Sequence, residues 1–375
     1  MKILHVTNYM YPNIGGIEQT SRDIINSLLN EHEQRVICFN NGKKDVTDRL
    51  DGIEITRCAA QFKISSQAIS FSFEKRLKEQ FKKFQPDVVI FHYPNPFQAH
   101  YLLKLLRKNS LCKLVVWWHL DITKQKILGK LFKSQSIKLL QRADKIIATS
   151  PNYLEGSPYL SAFKEKCIVI PSCINEKRLE ITEKSIHLKE KILSENEGKI
   201  LCFAIGRHVE YKGYEYLIKA SKRLDDRFVI YLGGEGKLTP KLKQLANGDD
   251  KIRFLGKISD EEVVAYMSAC DIYCFPSITK NEAFGLALAE AMSFGKPAVT
   301  FTIEGSGVNY VSLDGITGLE VENRNSDNYA KAICTLAENE ALRKNLGEAA
   351  KARVDELFLY VHFKKQLLEL LYNLL

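Results

Sequence analysis

Short apolar runs alternating with amphipathic stretches set the plan of this chain. Ile3-Leu4-His5-Val6 opens it, a run suited to a buried strand, followed by a loop, Thr7–Gly16, holding Pro12, Gly15 and Gly16. Ile17, Ile24, Ile25, Leu28 and Leu29 then recur at helical spacing, which predicts a helix over 17–29. Strand-like runs return at Arg35–Phe39, Val88–Phe91, Lys113–Trp118, Lys145–Thr149 and Cys167–Ile170, with helical segments between them. A second series begins near Lys199: Ile200–Ile205, Phe228–Leu232, Ile252–Leu255, Ile272–Phe275 and Ala298–Phe301 read as strands, and Gly213–Leu224 as a helix. This alternation predicts an α/β protein with parallel sheets covered by helices. The two series meet between Pro171 and Gly198, a polar, charged interval suited to a linker. A closing helix over 355–375 carries Leu357, Phe358, Val361, Leu367, Leu368 and Leu371, apolar rows that need a cover.

Ligands of such sheets bind beyond the carboxyl ends of the strands. In the first half the polar stretches there are Thr7–Gly16, His92-Tyr93-Pro94-Asn95 and His119-Leu120-Asp121. His119 follows Val115-Val116-Trp117-Trp118, so it emerges at the ligand edge, as a site group or as a structural histidine bonded near a strand end. In the second half Arg207 follows Gly206 at a strand end and Lys212 comes five residues later. Two cations beside a glycine suit a diphosphate, or else are solvated surface charges. Glu282 and Glu290 bracket seven residues in FPSITKNEAFGLALAEAMSFGK, from Phe275 to Lys296. Pro276 and Ser277 end a strand and apolar residues dominate from Gly285 to Met292, placing Glu282 in a strand-to-helix loop and Glu290 about two turns down the helix. That loop offers backbone N–H groups at a positive helix end. A carboxylate there repels phosphate, so Glu282 suits sugar hydroxyls and Glu290, in an apolar helix, suits ribose hydroxyls. The plainer alternative makes Glu282 a helix cap and Glu290 a solvated side chain.

Composition narrows the classes. With 375 residues, 45% of them hydrophobic, the chain can bury large cores. The net charge of +9 comes without a nucleic-acid motif, so anionic small molecules or an anionic membrane surface are the expected partners, and nucleic acid is not. Nine scattered cysteines show no CxxC and no Cys/His metal spacing, which fits reduced packing residues of a cytoplasmic or peripheral protein. No stretch reaches membrane-spanning length. Phe62–Lys83 and Lys124–Arg142 mix apolar residues with lysine and arginine; such helices lie on anionic bilayers or serve as outer helices of an α/β domain. There is no GxGxxG, which disfavours a dinucleotide-dependent dehydrogenase.

Taken together, the motifs resemble one family. Glu282-x7-Glu290 within PSITKNEAFGLALAEAMSFGKPAV is similar to the signature of retaining glycosyltransferases of family 4, and Gly206-Arg207-His208-Val209-Glu210-Tyr211-Lys212-Gly213 to the family's basic donor motif. Gly15-Gly16-Ile17-Glu18 resembles its first glycine loop, Val169-Ile170-Pro171 with Asn175 the entry to its linker, and Asp314-Gly315-Ile316-Thr317-Gly318-Leu319 a late loop. The resemblance implies the GT-B fold: two Rossmann-like domains facing across a cleft, residues 1–172 binding the acceptor with 356–375 crossing back onto them, and 173–355 binding a sugar nucleotide.

By the same resemblance Arg207 and Lys212 hold the diphosphate, Glu290 the ribose, and Glu282 hydroxyls of the donor sugar, with backbone N–H groups of Ala283, Phe284 and Gly285 nearby. Gly16 closes over the phosphates, and His119 lies beside the transferred sugar. His92 and Asp121 fall on the acceptor or sugar side; Trp118-His119-Leu120-Asp121 is similar to a His-x-Asp of bacterial lipopolysaccharide and capsule mannosyltransferases. The implied reaction moves a hexose, with GDP-mannose favoured over a UDP-hexose, to a glycan or lipid-linked acceptor with retained configuration. His119, Glu282, Arg207 and Lys212 would be its catalytic groups. No Asp-x-Asp occurs in a suitable loop and the two cations can do a metal's electrostatic work, so neither metal nor cofactor is expected. Two features depart from the family pattern: Gly305-Ser306-Gly307-Val308-Asn309-Tyr310 in place of a Pro-Glu turn, and Pro171-Ser172-Cys173-Ile174-Asn175 in place of Pro-Asn-Gly. Rival readings are a sugar-nucleotide epimerase or phosphorylase of the same fold, and a non-catalytic partner of another glycosyltransferase.

Overall fold

The computed structural model describes residues 1–13, 15–64, 67–108, 111–122 and 129–374. The chain divides into two compact units, Met1–Pro171 with Phe363–Leu375, and Ser172–His362.

Unit 1 is built on an eight-stranded sheet, with β1 (Lys2–Val6), β2 (Glu33–Asn40), β3 (Val46–Leu50), β4 (Ile53–Ala59), β7 (Val88–Tyr93), β8 (Lys113–Trp118), β9 (Lys145–Ala148) and β10 (Cys167–Val169) in the order β10-β9-β8-β7-β1-β2-β4-β3. All neighbours are parallel except β3 and β4. A small hairpin, β5 (Phe62–Ile64) with β6 (Gln67–Ile69), stands apart. The central strands are buried on both faces, as parallel sheets under helices require; Phe91, Trp117 and Trp118 are each 0% exposed. Unit 2 carries six parallel strands, β11 (Ile200–Ile205), β12 (Phe228–Gly233), β13 (Ile252–Gly256), β14 (Ile272–Phe275), β15 (Ala298–Phe301) and β16 (Gly318–Val321), ordered β13-β12-β11-β14-β15-β16.

Several sequence expectations change. His92 lies inside β7, not in the loop beyond it. The helix after β14 is Leu286–Ser293, so Glu290 stands little more than one turn from its start. The interval 171–198 is ordered: Glu176–Leu179 forms a 3-10 turn and Glu183–Ser194 a helix capped reciprocally by Thr182 and Ser185, packed on helix Asp260–Ala269. The buried positions of the turn and helix, Leu179, Ser185 and Ile192, are too sparse to show as a period. The closing helix is two, Glu340–Leu357 and Tyr360–Tyr372. Between them Phe358 is 0% exposed, its ring edge-on to Phe284 and Tyr310 and its carbonyl accepting from Ile174 N–H, which ends the first helix. From Phe363, 5.8 Å from Trp117, the second buries Leu367 and Leu371 in unit 1.

The basic amphipathic segments bury part of their apolar residues, while Phe62 and Phe71 of the first are exposed. Helix Phe73–Phe84 buries Phe73, Leu77, Phe81 and Phe84. Helix Gly129–Arg142 includes buried Phe132, Leu139 and Leu140; Lys124, Lys126, Ile127 and Leu128 lie outside the described residues. Among the described residues no helix is long and apolar enough to cross a membrane.

Candidate functional site

In unit 2, β11 has β12 on one side and β14 on the other, so the strand order reverses between β11 and β14. Ligands of doubly wound sheets bind at that point. The loops leaving these two strands are the Gly206–Gly213 and Pro276–Gly285 motifs. They meet backbone on backbone: a Cβ at Gly213, whose φ is +64°, would stand 2.0 Å from the Pro276 carbonyl oxygen, and Ile278 N–H donates to Tyr211 O at 2.9 Å. That contact brings Lys212 Nζ to 2.5 Å from Glu282 Oε2, which also accepts from Ser277 Oγ at 3.2 Å. Both charged side chains are only 13% exposed, a pair mostly withdrawn from water. A third loop braces them. Gly307 N–H donates to Ala283 O at 3.1 Å and Ser306 Oγ to Glu282 O at 2.5 Å. A side chain at Gly307 would collide with Ala283 O, 2.2 Å from its Cβ. The Gly305-Ser306-Gly307 run that departs from the family pattern is thus a buttress of the glutamate loop. At the head of helix Leu286–Ser293, the N–H groups of Phe284 and Gly285 have no internal acceptor among the described residues.

Glu290, 9% exposed, forms an ion pair with Arg178 Nη2, while Arg178 Nη1 donates to Asp260 Oδ1 at 2.8 Å. Burial pushes the Glu290 carboxyl above its ordinary range, against the pull of Arg178 and the more distant Lys212. Burial opposes the charge of Arg178 as well, but the carboxylates of Glu290 and Asp260 together outweigh it. The Tyr273 hydroxyl, buried and without a partner among the described residues, feels the charges of both Glu290 and Glu282. Lys212 thus pairs with Glu282, and Glu290 lies within electrostatic reach of Lys212 and Tyr273. Arg207 is exposed at the end of β11 and makes no ion pair among the described residues. Arg178 and Tyr273 escaped the sequence reading; the signal for Arg178 was Glu290 itself, since a carboxylate in an apolar helix needs a cation.

Unit 1 places different chemistry at its carboxyl edge, where β1 lies between β7 and β2. His5 on β1, His92 on β7 and His119 just after β8 form a stack, with ring centroids 6.0 Å apart for His5–His92 and 5.5 Å for His92–His119. His119 N–H donates to Tyr93 O at 3.3 Å, extending the sheet by one residue. Burial lowers the imidazole of His119 to about 3 and that of His5 to about 4. It lowers His92 well below its ordinary value too, aided by the neighbouring His119 and His5. All three are neutral near pH 7. Helix Gly16–Ser27 leans on this stack through Ser21, whose Oγ is 3.0 Å from His92 Nδ1. At its first residue, Gly16, an added Cβ would meet nothing within 4 Å among the described residues. Asp121 is 2% exposed, and its Oδ1 accepts from Trp118 Nε1 at 2.9 Å and Ser157 Oγ at 2.8 Å, so this carboxylate holds the turn after β8 together.

Comparison with known proteins agrees with the topology. The model of the glycosyltransferase family 4 matches residues 14–178, and that of the glycosyl transferases group 1 matches residues 185–353. The chain is 29% identical over 369 residues to D-rhamnosyltransferase WbpZ of Pseudomonas aeruginosa, spanning 96% of this chain and 92% of that one. It is 28% identical over 371 residues to O-antigen chain mannosyltransferase C of Escherichia coli, spanning 96% and 95%. Among solved structures, Anabaena Alr3699/HepE in complex with UDP superposes with a TM-score of 0.81 at 19% identity, covering 100% of both chains. The two parallel α/β units have the GT-B plan.

Proposed function

This chain belongs to the glycosyltransferases of group 1 and family 4, and from that premise we propose that it moves a manno-configured hexose from a nucleoside diphosphate to a hydroxyl of a growing surface glycan, with retention at the anomeric carbon. The observation that carries the reading is the Lys212–Glu282 pair, its glutamate on the same loop as the open N–H groups of Phe284 and Gly285, at the point where strand order reverses in unit 2. A departing diphosphate gains negative charge as the glycosidic bond breaks. A fixed ammonium and oriented amide dipoles answer that charge without reorganising, and Arg207, exposed beside them, adds a second cation. Glu282 cannot face phosphate, but with one oxygen on Lys212 it can accept from a sugar hydroxyl. Glu290, held by Arg178, can accept from ribose hydroxyls. Neither carboxylate is placed as a nucleophile; the acceptor hydroxyl attacks from the face the diphosphate leaves. The two cations take the part a metal would play, so the reaction needs none. Unit 1 serves the acceptor, with His119, His92 and Asp121 on that side.

The sugar follows from the relatives. One is a mannosyltransferase and the other a D-rhamnosyltransferase, and rhamnose is 6-deoxymannose, so both donors share one ring configuration. The O-antigen relative supports a glycan acceptor on the way to the cell surface. The test is a panel of GDP- and UDP-sugars scored first by melting temperature and then by turnover. A donor at a hundred times its Kd stabilises the fold by about 2.7 kcal/mol. GDP-mannose is expected to give the largest rise and to be consumed; a panel in which no nucleotide sugar does either rejects the assignment.

A further inference from the structure

Of the three stacked histidines, His119 and His92 stand on the proposed acceptor side, but His92 is 0% exposed and cannot itself touch the acceptor. We propose that His92 is a positioning residue: it holds the proton of His119 on Nδ1, so that the free edge of that imidazole is a hydrogen-bond donor to an oxygen of the substrate. Only the identity of that substrate rests on the glycosyltransferase reading.

The argument is one of hydrogen-bond accounting. His92 is 0% exposed. Its Nδ1 has two neighbours, Ser21 Oγ at 3.0 Å and His119 Nε2 at 3.3 Å, whereas its Nε2 is buried with no partner among the described residues. A neutral ring carries one proton. On Nε2 it would be a buried donor without an acceptor, one of the costlier states a protein interior can hold. On Nδ1 it finds two acceptors and leaves only a lone pair unmatched. Ser21 is suited to that arrangement, since its own proton can turn to Thr7 Oγ1, 3.2 Å away. A proton on His92 Nδ1 makes His119 Nε2 an acceptor, and neutral His119 must then be protonated on Nδ1. That atom has no partner among the described residues, and the residue keeps 5% of its surface exposed. His5 follows the same rule independently. Gln34 donates its amide N–H to Ile25 O, so its oxygen faces His5 Nε2 at 2.8 Å, fixing the proton there and leaving His5 Nδ1 as an unmatched lone pair. No carboxylate contributes to the shifts of His92 and His119, so nothing in the stack favours an imidazolium.

The test begins with nitrogen-15 spectra of the imidazoles in the ligand-free, full-length protein near pH 7. The expected result is a His119 with Nδ1 protonated and Nε2 bare; a proton on Nε2, or exchange averaging of the two forms, overturns the proposal. The second arm compares two variants. His92→Asn keeps an N–H donor near the place of Nδ1 and is expected to retain turnover and the His119 tautomer. His92→Leu keeps bulk without the donor and is expected to lower kcat about tenfold to a hundredfold at little-changed donor KM, with the His119 signals averaging. Equal losses in both variants, or a loss in neither, overturn it. The spectra need no substrate, so a failed donor assignment and a failed tautomer assignment are told apart.

Discussion

The two units handle buried titratable groups in opposite ways at equivalent places in their sheets. Unit 1 discharges them: His5, His92 and His119 give up their protons on burial and stack as neutral rings. Unit 2 keeps its charges and pairs them, Lys212 with Glu282 and Arg178 with Glu290. Desolvation is the common cost, and what stands opposite decides the outcome. No carboxylate acts on His92 or His119, so neutrality costs less there. The cations of unit 2 stand against carboxylates, Lys212 against one on the Pro276–Gly285 loop and Arg178 against one on the helix that follows. A site for a leaving diphosphate needs permanent charge, whereas an alcohol acceptor needs oriented neutral donors and acceptors. On the proposed reading, the contrast between the units follows the contrast between the two substrates.

The sharpest way to break this comparison is to remove a charge from unit 2. Lys212→Ala strips the proposed diphosphate of its buried cation and leaves Glu282 without its counter-ion. A loss of kcat of about a thousandfold is expected, with Lys212→Arg, which keeps the charge, falling much less. Steady-state rates with a saturating donor decide it. Near-normal turnover in the alanine variant removes Lys212 from the chemistry.

A smaller effect separates a paired charge from a merely adjacent one. Arg178→Leu leaves Glu290 buried and unpaired and should cost about 3 kcal/mol of stability, whereas Arg178→Leu with Glu290→Leu should recover much of that loss. Urea titrations of the three proteins measure the coupling. If the two losses simply add, the ion pair is incidental.

Acid tests the other half of the contrast. The folded-state values of His5 and His119 lie below the unfolded 6.5, at about 4 and about 3, so the stability they support is complete above pH 6.5 and is lost as pH falls toward those values. Between pH 6.5 and 5.5 each should remove about 1 kcal/mol. Unit 2 holds one histidine lowered in this sense, the buried His208, while Glu290, raised by burial, has the opposite sign: its contribution is present below its unfolded value and lost as pH rises through the folded one. The chain's two tryptophans, Trp117 and Trp118, both lie in unit 1. Tryptophan emission should therefore shift at a higher pH than the far-UV dichroism of the whole chain; coincident transitions would contradict the assignment.

What the sequence revealed follows from how strongly each feature is written in a short window. Core strands such as Lys113–Trp118 and Ile272–Phe275 are continuous apolar runs and were readable to the residue. The edge strand Val46–Leu50 was missed because its side chains face water and leave no apolar run. The sequence offered Lys212, Glu282 and Glu290 as motif residues but not their partners. Arg178 lies 112 residues before Glu290, in a segment whose composition reads as a linker. The histidine stack was equally hidden: His5 and His92 are on two strands and His119 follows a third, and only strand order makes them neighbours. The break at Phe358 was invisible as well, because helical spacing continues through it while the ring is drawn to Phe284 and Tyr310.

The smallest expected effect concerns Gly16, where stability and ligand binding should move apart. Gly16 is the first residue of its helix, its backbone is not left-handed, and an added Cβ would touch nothing within 4 Å. Packing among the described residues thus gives no reason for a glycine there. Alanine, with fewer unfolded conformations to lose, should raise stability by about 0.4–1 kcal/mol. If the space is kept for the donor's phosphates, the same methyl must raise donor KM severalfold while leaving the melting curve equal or better. A variant that gains stability with donor KM unchanged would show that the space serves no phosphate, confining recognition of the diphosphate to the charges of unit 2.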